Sequence, residues 1–188
     1  TSKRSYALVL ETFVIIGSSI MVLIVVALDI LKVIFIGDPE YWQAMYIVPI
    51  ILFANFCLGI YQNLSVWYKV TNRTRFAAYI SCIGAFITLV LNLTLIPDYS
   101  YLGSALATLI AYFTMALLSY IIGKRYYPIP YNTPKILFYI VLSVTLSYIS
   151  FYGFRDNLLI GIMCIFVMNL VILIKEKARI LKLINLIR

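Results

Sequence analysis

The chain has 188 residues, 64% of them hydrophobic and 12% charged, with 15 Lys and Arg against 7 Asp and Glu and no His. At a mean hydropathy of +1.02, these proportions exclude an ordinary soluble domain, which carries about twice that share of charge. The absence of His removes the commonest general base and metal ligand.

Six uncharged intervals follow one another along the chain, at 12–28, 41–68, 76–97, 99–123, 136–154 and 157–174. Each is 17 to 28 residues long, matching the roughly 17–25 residues of a membrane-crossing helix. Open strands leave backbone groups unpaired in hydrocarbon, and no ten-residue alternation argues for a barrel. The expected fold is therefore all-α: a polytopic membrane protein with six transmembrane helices.

The first interval is too long for the apolar region of a removable signal peptide and lacks a small-residue cleavage site. Because the chain starts at Thr1 and not at Met, it reads as a fragment of a longer protein. Asp29 and Lys32, spaced i, i+3 near the far end of the first helix, can pair on one face. They could line a translocation path or bind a coupling cation; they could equally form an interfacial ion pair with Lys32 snorkelling outward.

In the second span, Asn55, Gly59, Gln62 and Asn63 share a helix face, and Pro49 upstream invites a bend. Such a polar stripe suits a water-filled cavity or a sugar-binding surface, and it also suits interhelical hydrogen bonding. The third span repeats the pattern with Ser81, Gly84 or Ala85, Thr88 and Asn92. The fourth carries Gly103, Ala107 and Ala111 at i+4 spacing, which lets helix backbones approach closely. The fifth and sixth spans have little polar content beyond Ser143, Ser147 and Asn169, and read as peripheral. The tail KEKARILKLINLIR places Ile180, Ile184 and Ile187 at helical spacing among basic residues. It reads as a short amphipathic C-terminal helix on the cytoplasmic leaflet, or as a frayed continuation of the sixth helix.

Charge sorts the connections by side. All basic residues except Lys32 and Arg155 fall in the N-terminal segment, the second and fourth connections and the C-terminal tail. The opposite connections hold Asp38 and Glu40, Asp98, and Arg155 with Asp156. The positive-inside rule places both termini in the cytoplasm, as an even number of spans requires. The basic balance is thus a topology signal, and it argues against nucleic acid as a partner. Tyr41, Trp42, Tyr99, Tyr101 and Tyr152 at the outer ends, and Trp67, Tyr68, Tyr126 and Tyr127 at the inner ends, suit the two membrane interfaces.

Enzyme signatures are missing: there are no paired carboxylates within a span and no Gly-rich phosphate loop. No catalytic residue, metal site or cofactor is expected. Cys57, Cys82 and Cys164 lie scattered in apolar runs and read as packing residues, not a disulfide or zinc framework. The glycosylation sequon at Asn72 falls on the expected cytoplasmic side.

The stretch from Leu91 to Pro97, LNLTLIP, followed by Tyr101 to Thr108, YLGSALAT, resembles a helix-hairpin segment of polysaccharide flippases. These belong to the multidrug/oligosaccharidyl-lipid/polysaccharide exporter superfamily. The loop Gly37-Asp38-Pro39-Glu40-Tyr41 and the basic loop from Lys69 to Arg75 are also similar to that family. The chain departs at Ser100 and Ser104, where the family usually has Gly and Ala. The resemblance implies that this chain is the C-terminal portion of a longer flippase for O-antigen or capsule-type saccharides. Residues 1–127 would give four helices of a transporter lobe, 128–174 two peripheral helices and 175–188 the basic tail.

The implied function is movement of an undecaprenyl-diphosphate-linked oligosaccharide across the bacterial inner membrane by alternating access. That function needs basic and amide side chains facing a cavity. Asp29, Lys32, Asn55, Gln62, Asn63 and Asn92 are the substrate-path candidates, and Arg73 and Arg75 could attract the diphosphate at the cytoplasmic mouth. Partners implied are membrane lipid, the missing N-terminal helices and a polysaccharide polymerase. A related exporter of drugs or other amphiphiles, and a non-transport membrane scaffold, are the alternative readings.

Overall fold

The computed structural model describes the chain apart from residues 1, 37, 38, 156 and 188, and it describes side chains apart from those of 39–41 and 178–187 as well. Asp38, Asp156 and Arg188 therefore lie outside the described residues, as do the side chains of Glu40, Tyr41 and the tail isoleucines. The described residues form helices and no strand. The elements are α1 (Ser2–Phe35), a 3-10 stretch (Pro39–Ile47), α2 (Val48–Leu64), α3 (Val66–Val70), α4 (Arg75–Tyr126), α5 (Thr133–Tyr148), a π-helical turn (Ile149–Gly153) and α6 (Leu158–Ile187). Among the described residues, five helical stretches are long and apolar enough to cross a membrane. The backbone of α6 continues without a break through the basic tail to Ile187.

α4 joins the third and fourth sequence intervals and has 52 residues. A straight helix of that length would extend about 78 Å at 1.5 Å per residue, yet the rings of Phe76 and Tyr126 at its two ends are 5.1 Å apart. The chain reverses at Ser100, whose φ of 49° and ψ of −128° are not helical, just after Pro97. Gly103 makes the reversal tight: a Cβ there would run into the backbone carbonyl of Leu95. Ala107 and Ala111 continue that small face and are fully buried. α4 is thus a helical hairpin whose closed tip lies at one end of the bundle and whose open ends lie at the other.

α1 is the central helix. Toward α2, two notches exchange two rings: Phe56 fills the space beside Gly17, and Phe13 fills the space beside Gly59. Gly59 therefore serves helix packing, although the sequence places it within a polar stripe. Toward α5, Ser18 donates to the carbonyl of Tyr139 at 3.3 Å, and Tyr139 is fully buried. Toward α6, Gly161 admits Val26, and Ser19 donates to Asn169 Oδ1 at 3.2 Å. α5 and α6, read from the sequence as a peripheral pair, thus both rest on α1, while the hairpin rests mainly on α2.

The bundle has two chemically distinct ends. Lys3 Nζ lies 4.2 Å from the Tyr127 ring centre, Arg73 lies 4.8 Å from the Tyr126 ring, and Lys175 lies 3.5 Å from the Phe138 ring. These contacts, with the helices they join, gather the N-terminal turn of α1, the open end of the hairpin and the part of α6 around Lys175 at one basic end. Trp67 sits at its centre, 1% exposed, stacked on Tyr126 at 6.1 Å and donating its indole N–H to the Ser119 carbonyl at 3.1 Å. Read from the sequence as an interfacial ring, Trp67 is a core residue here, because Gly123 leaves room for it.

Candidate functional site

At the far end, Asp29 projects from the last turns of α1. Lys32 Nζ approaches it at 2.5 Å, and Arg155, from the connection between α5 and α6, reaches it at 2.9 Å. The Arg155 guanidinium contacts both carboxylate oxygens and lies 4.5 Å from the Phe151 ring. Lys32 in turn stands 5.0 Å from the Trp42 ring, and Trp42 donates to the Ile36 carbonyl at 3.2 Å. Tyr152 donates its hydroxyl to the Tyr46 carbonyl at 2.8 Å. Asp29 and Lys32 are thus built into an aromatic-backed clasp that ties α1 to the α5–α6 connection. Arg155, the partner that completes it, is not visible from local spacing.

The α2 amides behave differently. Asn55 donates to its own helix at the Ile51 carbonyl, 2.9 Å, and its side chain is exposed. Asn63 donates to the Gly59 carbonyl at 2.9 Å. Gln62 is exposed on the same side as Asn55, since seven residues is close to two helical turns. Neither Asn55 nor Gln62 is covered by another described element of the chain.

On the hairpin, Ser81 faces α2 through Tyr61, hydroxyl to hydroxyl at 3.5 Å, and Tyr68 extends that chain to Tyr61 at 3.2 Å. Asn92 lies eleven residues beyond Ser81, about 16 Å nearer the hairpin tip. Its Oδ1 is buried without a hydrogen-bond partner among the described residues. The amides thus sit on two separate helices, Asn55, Gln62 and Asn63 on α2 and Asn92 on the hairpin. Arg75 opens α4 at the basic end and is exposed, next to Arg73 over Tyr126.

A second ionic cluster lies at the basic end, one that sequence patterning passes over. Lys135 of α5 lies 2.6 Å from Glu176 of α6 and 3.5 Å from Glu11 of α1. Tyr139, one helical turn along, donates to Glu176 at 3.2 Å. The carboxyl side chains are 6% and 10% exposed, so this network is nearly dry. The visible signal was the position of Glu11 and Glu176: both are acids at the edges of apolar intervals on the otherwise basic side.

Between these ends, an apolar cavity of 340 Å³ opens among α1, α2, α4 and α5, walled by Leu10, Cys57, Leu64, Phe113, Ile136 and Ile140. Tyr120, Tyr131 and Thr133 line it at the connection before α5 through their apolar atoms. There Tyr120 and Thr133 share a hydrogen bond of 2.9 Å, and the Tyr131 hydroxyl has no partner among the described residues. Burial pushes that hydroxyl up to about 12, so it stays a donor at any physiological pH. Among the described residues, no group of three His, Cys, Asp or Glu side chains is placed to hold a metal ion.

Comparison with family models, with curated proteins and with solved structures gives no match for this chain.

Proposed function

We propose that this chain works as the C-terminal part of a larger flippase, moving an undecaprenyl-diphosphate-linked oligosaccharide across the bacterial inner membrane by alternating access. The observation that carries the reading is the uncovered amide face of α2. Asn55 sits midway along α2 and Gln62 near its C-terminal end, with no described element of the chain over either. Asn55 keeps one amide N–H on the Ile51 carbonyl; each amide group left facing hydrocarbon without a partner costs roughly 2–7 kcal/mol, whereas a wet cavity closed by further helices would satisfy it. Sugar hydroxyls are natural partners for such amides.

The hairpin geometry of α4 supports counting it as two spans, which makes six in all with both termini in the cytoplasm. The basic end then faces the cytoplasm. Arg73 and Arg75 stand at that mouth, where they would attract the substrate diphosphate. The apolar cavity beside Tyr131 offers room for hydrocarbon next to a hydroxyl donor. Membrane lipid, the N-terminal helices of the same protein and a polysaccharide polymerase are the partners this reading requires or favours.

The test replaces Asn55, Gln62 and Asn63 together with Leu in the full-length protein. Surface polysaccharide export is then measured at matched membrane abundance. Each lost hydrogen bond is worth roughly 0.5–1.5 kcal/mol, and 1.4 kcal/mol is tenfold, so export should fall by about tenfold or more. Undiminished export would end the cavity reading of this face.

A further inference from the structure

We propose that the apolar cleft between the second arm of the hairpin and α5 holds one acyl chain of an anionic phospholipid, whose headgroup phosphate rests on Lys124. This inference does not depend on transport; it needs only that the bundle lies in a membrane with its basic end at the surface. The cleft has a volume of 340 Å³, within the range of small-ligand sites, roughly 300–1,000 Å³. The two helices that flank it have hardly any contact with each other. Leu10 of α1 and Phe53, Cys57, Ile60 and Leu64 of α2 form its floor. Leu117 and Leu137 stand at its two lips, 46% and 54% exposed, so it opens sideways toward the hydrocarbon.

Shape and chemistry select an acyl chain. The accessible wall of the cleft is apolar throughout, and a bound water needs two to four polar partners that such a wall does not supply. Hydrocarbon gives up nothing by entering it. From Phe53 to Leu64 the floor rises about 16 Å along α2, at 1.5 Å per residue. Half of a hydrocarbon core about 30 Å thick is about 15 Å, so the cleft is as deep as one leaflet. It starts at the basic end, where the hydrogen bond between Tyr120 and Thr133 bridges its two walls. It is also separate from the amide face, because Asn55 and Gln62 lie about 160° and 180° around α2 from Phe53.

Charge selects the headgroup. Phe113, Leu117, Tyr120 and Lys124 follow one another at i, i+4, i+7 and i+11, so the lysine continues the cleft side of the hairpin arm at its basic end. Lys124 is exposed and makes none of the salt bridges among the described residues. Across the cleft, the Lys135 ammonium is already held by Glu176 and Glu11. Arg125, one residue on from Lys124, is turned about 100° away from that side. Lys124 lies about 10 Å beyond Leu117 along the helix axis, which leaves room for the glycerol between chain and phosphate. A basic residue at a membrane surface attracts a lipid with net negative charge; in a zwitterionic lipid the headgroup's own ammonium offsets the phosphate.

The experiment uses the full-length protein in nanodiscs of phosphatidylethanolamine and phosphatidylglycerol, doped in turn with either lipid carrying a diazirine midway along one acyl chain. After illumination, the labelled residues are read by peptide mass spectrometry. The phosphatidylglycerol probe should label Cys57 or Ile60 on the floor of the cleft, which are 4% and 8% exposed. The phosphatidylethanolamine probe should label them several-fold less. Lys124→Gln should lower floor labelling by phosphatidylglycerol roughly fivefold, the worth of one basic residue at an anionic surface, and Arg125→Gln should lower it far less. Labelling confined to outward residues such as Phe86 and Leu93 would overturn the proposal, because the cleft would then be filled by another part of the protein or closed to lipid. Equal floor labelling by the two lipids, or equal loss in the two variants, would reduce the headgroup contact to a diffuse surface potential and would overturn it as well. Undecaprenyl phosphate, added in equimolar amount to the probe, should leave floor labelling intact. Loss of the label would assign the cleft to an isoprenoid chain, against the proposal.

Discussion

The two ionic clusters use similar side chains at opposite ends of the bundle, and they differ in depth. At the basic end, Lys135 stands between carboxylates whose side chains are 6% and 10% exposed. At the far end, the carboxylate of Asp29 is 39% exposed and the Arg155 side chain 34%. The chemistry is alike and the energetics are not. Water screens the far-end clasp, so its strength reflects mainly the local geometry of Arg155 on Asp29. The basic-end network is desolvated, so each of its charges depends on the others being present. The comparison teaches that burial, more than the number of ion pairs, decides which cluster holds the helices together.

The sharpest way to break this contrast is Lys135→Met. The substitution keeps much of the side-chain length and removes the cation that joins Glu11 and Glu176 in a nearly dry site. Removing one partner of a buried ionic group typically costs about 3–5 kcal/mol. The unfolding midpoint in an SDS titration of mixed micelles should fall accordingly, and near-ultraviolet circular dichroism should report loosening around Tyr139. A variant as stable as the parent would show that the network contributes no cohesion between α1, α5 and α6.

Much of this arrangement was legible in the sequence, and the illegible part has physical causes. The charge-free intervals mark the helices because ionised groups in hydrocarbon are costly. The same cost sorts Lys3, Arg73 and Lys175 to one end, where the structure gathers them. The i, i+3 pairing of Asp29 with Lys32 was visible because helix geometry alone makes it. Arg155, Glu11, Lys135 and Glu176 were not visible as partners, since their contacts join helices far apart in the chain and follow from tertiary packing. Gly59 misled in the same way: its place on a polar helix face says nothing about Phe13 arriving from α1. The side on which Asn55 and Gln62 are left uncovered likewise depends on where α1 and the hairpin settle.

The hairpin tip adds a second kind of difference between the ends. Among the described residues, two that are not glycine have positive φ, Asn72 at 54° near the basic end and Ser100 at 49° at the tip. Asn tolerates the left-handed region because its short amide can bond locally. Ser100, with a ψ of −128°, occupies a region that glycine reaches and side chains resist. Backbone strain of that kind costs of order 1–3 kcal/mol. Ser100→Gly should therefore stabilise the protein by about 1 kcal/mol in the same SDS titration, part of the relief being offset by the greater freedom of glycine in the unfolded chain. Ser100→Ala keeps the Cβ and should give no gain. If both variants were neutral, the tip would carry no strain and the two ends would differ in ion-pair burial alone.

Arg155→Gln should have the smallest effect, and it tests the exposed half of the comparison directly. The variant removes the two-oxygen contact on Asp29 while Lys32 remains in place, so no carboxylate is left without a cation. Exposed pairs of this type are worth roughly 0–1 kcal/mol. Screening at 1 M salt, where the Debye length is about 3 Å, should remove most of that difference between parent and variant. The cost of Lys135→Met should persist at the same ionic strength, because little electrolyte reaches carboxylates so nearly dry. The discriminating quantity is thus the salt dependence of each loss. A far-end loss that resisted salt would mean that Asp29 and Arg155 are shielded by something beyond this chain, as the proposed additional helices of a full transporter would do.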